Sequence, residues 1–368
     1  MEKIKILLIS DIHLGIEGIN PIISKEERLK TFDKIIGVAN DHDILLIAGD
    51  LINDENIDSI YFDILNEKFS SLIDEGKEIF YTPGYGELTS QDSINERCLN
   101  LKTTFTFSDD KGYMIKSSKG EIFIYGLWSK NASDEWDIVR SREDGFHIGL
   151  FYADFNPQIN NFSDKLSIKK NNIKKMNLDF YALGKNHTFK MFKLYNKIIG
   201  AYPGSAESCS IDECGDRFAV SMEVEDNELR NIKKIAVNSG KILSDEIDCG
   251  SIFNHTALIE KIKSSYPADS IINITLAGDR DFVIDNNFIT ELSEFFRGVK
   301  IRDISIPSLK VMIEENAGND SLKGLFFQIL NEKINKSKAN EGDNEMLAGI
   351  ISQRSRSNKS EGVVLCDF

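Results

Sequence analysis

Long apolar runs are missing from this chain of 368 residues. No stretch approaches the ~20 consecutive apolar residues of a membrane-spanning helix, so none is expected, and no membrane partner either. The first ten residues are a short strand-like run leading directly into Asp11-Ile12-His13. They lack the longer apolar region and small-residue cleavage site of a secretory signal, and the expectation is a cytoplasmic location. Cysteine is sparse, with five residues scattered along the chain. Without a secretion signal, reduced thiols are expected. Cys209 and Cys214 are the closest pair, but a zinc site there needs two more ligands and none lies nearby in the sequence. Positive charge is also short, and the net charge is -15. Such a chain repels nucleic acid overall, so DNA could bind only through a local basic patch. The best stretch is Lys169-Lys170-Asn171-Asn172-Ile173-Lys174-Lys175, for which the solvated face of a helix is the competing reading.

What is present describes an ordinary globular protein, with 41% hydrophobic and 28% charged residues. The length suggests two or three folded units. Residues 4–9 and 44–48 read as buried strands, and residues 78–81 as a third. Between them lie helical patterns, one opened by the capping box Ser24-Lys25-Glu26-Glu27 and running to about residue 40, one over about 57–74. This alternation implies α/β units with a largely parallel sheet, whose strand carboxyl ends are where ligands bind. The middle is richer in strands: a hairpin over 113–125, buried strands over 146–151 and 179–183, then short strands to about residue 237. A sandwich of two mixed sheets flanked by helices fits this order. From about Cys249 a compact α/β unit follows, and beyond Pro307 the chain turns helical. Residues 321–334 carry an amphipathic stripe of Leu322, Leu325, Phe326, Ile329, Leu330 and Ile334. A polar linker (335–344), a second helix (about 345–352) and a polar tail are expected after it. The expected domains are residues 1–248, 249–308, a helical partner-binding region 309–353, and a tail 354–368.

Three strand ends carry chemistry. Asp11-Ile12-His13, Gly49-Asp50 and Gly184-Lys185-Asn186-His187 each follow an apolar run. In an extended chain the Asp-x-His alternation lets both side chains point to one side. Carboxylates and imidazoles together suit a borderline cation such as Mn, Fe or Zn. Asp11, His13, Asp50 and His187 are therefore a plausible ligand set for one ion. A buried hydrogen-bonded network without metal, or a purely structural ion, remain the alternatives. The other histidines read as structural: His42 as an exposed loop residue between Asp41 and Asp43, His147 as packing at a strand start, His255 as a helix start.

With these motifs in this order, the chain resembles the calcineurin-like metallophosphoesterases, and more narrowly the SbcD-type DNA repair exonucleases. Pro83-Gly84-Tyr85-Gly86-Glu87 falls where that family has Pro-Gly-Asn-His-Asp or Glu. Leu150-Phe151-Tyr152 falls on an apolar strand ending in His, and Ala182-Leu183-Gly184-Lys185-Asn186-His187 on Ala-Leu-Gly-His-x-His. Tyr202-Pro203-Gly204-Ser205-Ala206-Glu207 matches a Tyr-Pro-Gly-Ser-x-Glu loop. The resemblance implies a two-sheet metallophosphoesterase sandwich with a small α/β capping domain. It also implies C-terminal helices that bind an SbcC-like ATPase through residues such as Leu322, Leu325, Phe326 and Ile329. A homodimer and contact with DNA are implied as well.

The departures from the family are systematic. The ligands of one metal, Asp11, His13, Asp50 and His187, are all present, with Mn first and Fe or Zn as alternatives. The remaining ligands of the second metal read Tyr85, Tyr152 and Lys185, and the position of the catalytic His reads Gly86. A phenol with a pKa near ~10 is a poor ligand at neutral pH, and an ammonium repels a cation. One divalent ion and no second is the expectation, with Lys185 paired to Asp50 as an internal cation. General acid catalysis alone is worth ~10²–10⁴-fold, so loss of the acid and an ion together implies a weak or inactive enzyme. Four functions follow: a catalytically impaired subunit of an SbcD-like repair complex, an active single-metal phosphodiesterase or DNA nuclease, a small-nucleotide phosphatase on the same fold, against which the cap and C-terminal helices argue, or a non-catalytic interaction scaffold.

Overall fold

The computed structural model describes residues 3–16, 23–52, 58–84, 87, 104–106, 113–127, 138–156 and 167–338. Two compact units emerge, Met1–Lys241 and Ile242–Phe368.

The first unit begins with β1 (Ile4–Ser10), whose apolar run serves two cores at once. Leu7 and Ile9 pack on one side with helices α1 (Lys25–Ala39) and α2 (Ser59–Asp74), while Ile6 and Leu8 pack on the other. The two-residue period of a strand makes this division, and burial of both faces is why the run is continuously apolar. β2 (Ile44–Ala48) and β3 (Glu78–Thr82) repeat the pattern, and β4 (Thr104–Thr106) lies beyond β3. All four run parallel. α1 starts at the expected capping box, with Ser24 and Glu27 each bonding the other's backbone N–H.

The second sheet is built from β5 (Tyr113–Lys116), β6 (Ile122–Gly126), β7 (Phe146–Tyr152), β10 (Phe180–Gly184), β11 (Lys190–Leu194) and β12 (Lys197–Tyr202). Between β7 and β10 come the short parallel pair β8 (Asp154–Asn156) and β9 (Ser167–Lys169) and helix α3 (Lys170–Met176). The strand order is β11-β12-β10-β7-β6-β5. β13 (Phe218–Glu225) and β14 (Glu228–Ala236) then return to the first sheet, where β13 lies antiparallel to β1. That sheet reads β14-β13-β1-β2-β3-β4. Ile6, Leu8, Leu46 and Phe80 of one sheet share a buried apolar core with Ile124, Ile148, Leu150 and Phe180 of the other. The fold is thus the expected sandwich of two mixed sheets.

His42 corrects one sequence reading. It is only 6% exposed, and its ring lies 2.8 Å from both Val38 O and Ser221 Oγ. His147 is fully buried, stacked on Phe123 with ring centroids 4.7 Å apart.

The second unit has a three-stranded parallel sheet, β15 (Ile242–Asp248), β16 (Ile271–Ala277) and β18 (Gly298–Asp303). A two-residue parallel pair, β17 (Asp279–Arg280) with β19 (Ile306–Pro307), forms a separate small sheet. Helices α4 (His255–Ser265) and α5 (Phe288–Ser293) cover a core that includes Leu258, Ile262, Ile274, Leu276 and Leu292. Because β15 pairs with β16 along its whole length, residues 242–248 belong here and not with the preceding unit, as the sequence reading had it. Helices α6 (Leu309–Glu315) and α7 (Leu322–Lys338) follow. α7 runs past the expected end at residue 334. The helix expected over 345–352 and the tail lie outside the described residues. Among the described residues no helix is long and apolar enough to cross a membrane.

Candidate metal centre

The parallel strands deliver the sequence-predicted ligands to one end of the sandwich. Asp11 follows β1, Asp50 follows β2, and His187 lies three residues beyond β10. The chain then turns sharply. Asp11, His13, Asp50 and Lys185 all adopt positive φ, between 39° and 92°. For residues with a Cβ this costs about 1–3 kcal/mol each, so the surroundings must hold it. They do so by hydrogen bonds: His13 N–H donates to Asp50 O at 2.9 Å, Gly49 N–H to Thr82 O at 2.7 Å, and Lys185 N–H to Asp11 Oδ1 at 3.1 Å. Close approach demands glycine beside them. A Cβ on Gly84 would sit 1.8 Å from Asp50 Oδ1, and one on Gly184 would sit 1.6 Å from Ala48 O.

The donor atoms converge. His13 Nε2 and His187 Nε2 are 3.2 Å apart, and Asp50 Oδ2 is 3.8 Å from His13 Nε2. Asp11, His13 and Asp50 each offer a ligand atom within 4.8 Å of the others. Two imidazole nitrogens bound to one ion at ~2.0–2.1 Å stand roughly 3.3 Å apart at a tetrahedral angle, so the His13–His187 spacing is that of two ligands of one ion. The electrostatics agree. Asp11 is completely buried, and burial, with the Asp50 charge beside it, pushes its carboxyl up to about 7. Burial raises Asp50 as well. Two desolvated carboxylates facing two imidazole nitrogens fit a divalent cation, which would offset their charge.

His187 is aimed by residues the sequence did not single out. Its Nδ1 is 2.8 Å from Glu213 Oε1, leaving Nε2 toward His13. This carboxylate–imidazole pairing is how metal-binding histidines are commonly oriented. The Cys209 side chain, and then Glu213, hold the His187 ring up at about 10 in the metal-free chain. Burial works to raise Glu213, but bonds from His187, the Cys209 N–H and Ser205 Oγ outweigh it and hold the carboxyl down at about 2. The buried Arg217 completes the support: Nη2 is 3.3 Å from Glu213 Oε2 and also bonds His187 O and Ser205 Oγ, while Nε donates to Ser205 O at 3.1 Å. The Tyr-Pro-Gly-Ser-x-Glu loop is thus a scaffold for His187. Ser205 bonds the supporting carboxylate. Glu207 accepts from Thr31 Oγ1 and from the Gly240 N–H at 2.9 Å. Tyr202 Oη accepts from the Phe155 N–H and donates to Ala153 O, both at 2.7 Å, which clasps the turn after Tyr152.

The expected second-metal positions hold other chemistry. Tyr152 Oη donates to Asp50 Oδ2 at 2.8 Å. Burial and the Asp50 charge raise its pKa far above the ordinary phenol value, so it is a neutral donor. The expected Lys185–Asp50 pairing gives way to other partners: Lys185 Nζ is 2.5 Å from Asp154 Oδ2, and Asp50 Oδ2 takes the Tyr152 hydroxyl. Tyr85 and Gly86 lie outside the described residues. Their neighbour Glu87 is buried, accepting from Gly84 N–H and Tyr81 Oη at 2.6 Å and from Ile52 N–H at 2.8 Å. Burial, with Asp50 nearby, pushes its carboxyl up to about 7. Cys209 departs from its sequence reading. The ligands missing next to it in sequence are present in space, since its sulfur lies within 4.8 Å of ring nitrogens of His13 and His187.

Residues 4–174 match the family model of the calcineurin-like phosphoesterases. The matched segment, somewhat less than half of the chain, is similar to the calcineurin-like phosphoesterases. The match holds Asp11, His13 and Asp50; His187 lies past its end and is carried in by β10. Among solved structures, the calcineurin-like phosphoesterase YfkN from Bacillus subtilis is similar at 14% identity and a TM-score of 0.39. The similarity covers 64% of this chain and 91% of that one. No curated protein matches the chain. Sequence reasoning missed Glu213, Arg217 and Asp154. Glu213 and Arg217 lie in an irregular loop with no periodic signal, and Asp154 is in a three-residue strand.

Proposed function

We propose that this protein is an SbcD-like subunit of a DNA repair exonuclease complex, holding one divalent ion and impaired in phosphodiester hydrolysis. The observation that carries the reading is the asymmetry of the centre. Asp11, His13, Asp50 and His187 converge, while Asp50 Oδ2 accepts from the protonated Tyr152 phenol. When bound, a divalent ion at the four ligands would supply Lewis acidity toward a phosphoryl oxygen. The chain's own groups add little proton chemistry. Tyr152 stays protonated and orients Asp50, Glu213 orients His187, and Lys185 pairs with Asp154. Mn is the first choice of ion in this reading.

The surface of α7 supports the partner. Phe327 and Leu330 are buried, while Leu322, Leu325, Phe326 and Ile329 on the same helix are exposed, Leu322 at 89%. An apolar face of this kind suits an SbcC-like ATPase. Dimerisation and DNA contact belong to the same reading.

The test is metal content per chain after Mn loading, with nuclease assays on linear duplex and single-stranded DNA. One ion and no cleavage above an Asp50→Ala control is the expected result. Two ions with Asp50-dependent cleavage would overturn it. One ion with Asp50-dependent cleavage would favour the second reading, a single-metal phosphodiesterase.

A further inference from the structure

We propose that Cys209 is an additional ligand of this centre, giving its ion a thiolate and turning the site toward thiophilic divalent ions, zinc or ferrous iron, over manganese. The inference rests on reading the Asp11–His13–Asp50–His187 cluster as a metal centre, and it changes which ion that centre selects. Three observations carry it. First, the Cys209 sulfur, a His13 ring nitrogen and a His187 ring nitrogen lie within 4.8 Å of one another. This group shares His13 with the group that His13 forms with Asp11 and Asp50. Second, the sulfur is held in place. Cys209 N–H donates to Glu213 Oε2 at 3.0 Å, and the other oxygen of that carboxylate is 2.8 Å from His187 Nδ1. One side chain therefore seats both donors. On the opposite side the buried Arg28 anchors the loop, with Nη2 donating to Ser208 O at 2.6 Å and Nη1 4.0 Å from the sulfur. Third, the donor chemistry is discriminating. Carboxylates and water suit Mn, whereas a thiolate beside two imidazoles suits Zn and Fe. Binding costs the thiol its proton, which passes to solvent, and forms a metal–sulfur bond without redox change. The Cys209 thiol also lies 3.7 Å from Glu207 O, a contact that metal binding would replace.

Cobalt(II) titration of the full chain, followed by absorption, tests this. Cobalt bound to a thiolate shows a near-ultraviolet charge-transfer band besides its visible ligand-field bands. The wild type should show both. Cys209→Ser should lose the first and keep the second. A chain with Cys98, Cys214, Cys249 and Cys366 all replaced by alanine should keep both, which guards against a variant that fails to fold. In competition experiments Cys209→Ser should weaken zinc binding about tenfold or more and Mn binding much less. Ligand-field bands without the charge-transfer band in the wild type would overturn the sulfur ligand and leave the metal centre standing. Persistence of that band in Cys209→Ser would do the same. Absence of any cobalt binding would overturn the sulfur ligand together with the centre.

Discussion

The His187–Glu213 pair makes the centre depend on pH in a way that can be worked out by sign. In the metal-free chain His187 is raised from 6.5 to about 10, so its contribution to stability is complete below 6.5 and is lost as pH rises through about 10. Glu213 is lowered from 4.5 to about 2, so its contribution is present above 4.5 and is lost as pH falls through about 2. The metal-free protein should therefore gain most from this pair between pH 4.5 and 6.5. Its melting temperature should fall from there toward pH 10, and Glu213→Gln should flatten that slope. Metal binding runs the other way. An ion at His187 Nε2 displaces a proton, and one at the Cys209 sulfur displaces another, so affinity should rise from neutrality upward by about tenfold per pH unit for each proton displaced. Glu213→Gln should weaken the ion about 10–100-fold, as loss of a supporting carboxylate does elsewhere. Calorimetric titration at several pH values measures both; an affinity that ignores pH would remove His187 from the ligand set. At this scale the sequence was legible where a residue follows a strand. Asp11, His13, Asp50 and His187 could be found because each comes just after an apolar run. Glu213 and Cys209 could not, because their meaning comes from a contact with His187 more than 20 residues back along the chain. His42 misled for the same reason: its acidic neighbours suggest a loop, while its ring is buried against Ser221, 179 residues away.

At the scale of elements, the strand ends meet so closely that a methyl group decides between stability and strain. Gly184 closes β10, and a Cβ there would meet the Ala48 carbonyl of β2, a backbone atom that cannot swing aside. Gly184→Ala should cost about 1–3 kcal/mol or more in urea unfolding and weaken metal binding with it, because Lys185 and His187 follow directly. Gly37 supplies the opposite case. It lies in α1 with nothing within 4 Å of its added Cβ, so Gly37→Ala should stabilise by about 0.5–1 kcal/mol. Equal effects of the two substitutions would contradict the close approach of the sheets. The exposed face of α7 carries the next prediction. Phe326→Glu should leave the melting temperature within about 1–2 °C, since the ring is 55% exposed, while abolishing association with an SbcC-like ATPase in gel filtration. The same substitution at buried Phe327 should unfold the helix region instead. The helices and buried strands were readable because caps and periodicity are local signals. The antiparallel return of β13 beside β1 was not, since pairing across more than 200 residues leaves no mark in either strand.

For the molecule as a whole, the question is how much chain the metal centre needs. The family match ends at residue 174, but the structure argues that a fragment ending there cannot hold the centre. Such a fragment loses β10, the neighbour of β7 in the second sheet, and β13, the neighbour of β1 in the first. Both sheets would then expose unpaired strand edges next to core residues such as Ile6, Leu8 and Ile148. His187, Glu213 and Arg217 would be gone as well. Residues 1–241 keep all of these, including the Gly240 N–H that donates to Glu207 at 2.9 Å, and this unit contains both sheets complete. A 1–241 fragment should therefore melt cooperatively and bind the same number of ions as the full chain, with affinity within about twofold if the ligand set is complete within it. A 1–174 fragment should be unfolded and metal-free. Circular dichroism melts with metal analysis of both fragments decide the matter. If 1–241 lost its ion while remaining folded, a ligand from residues 242–368 would have to be sought.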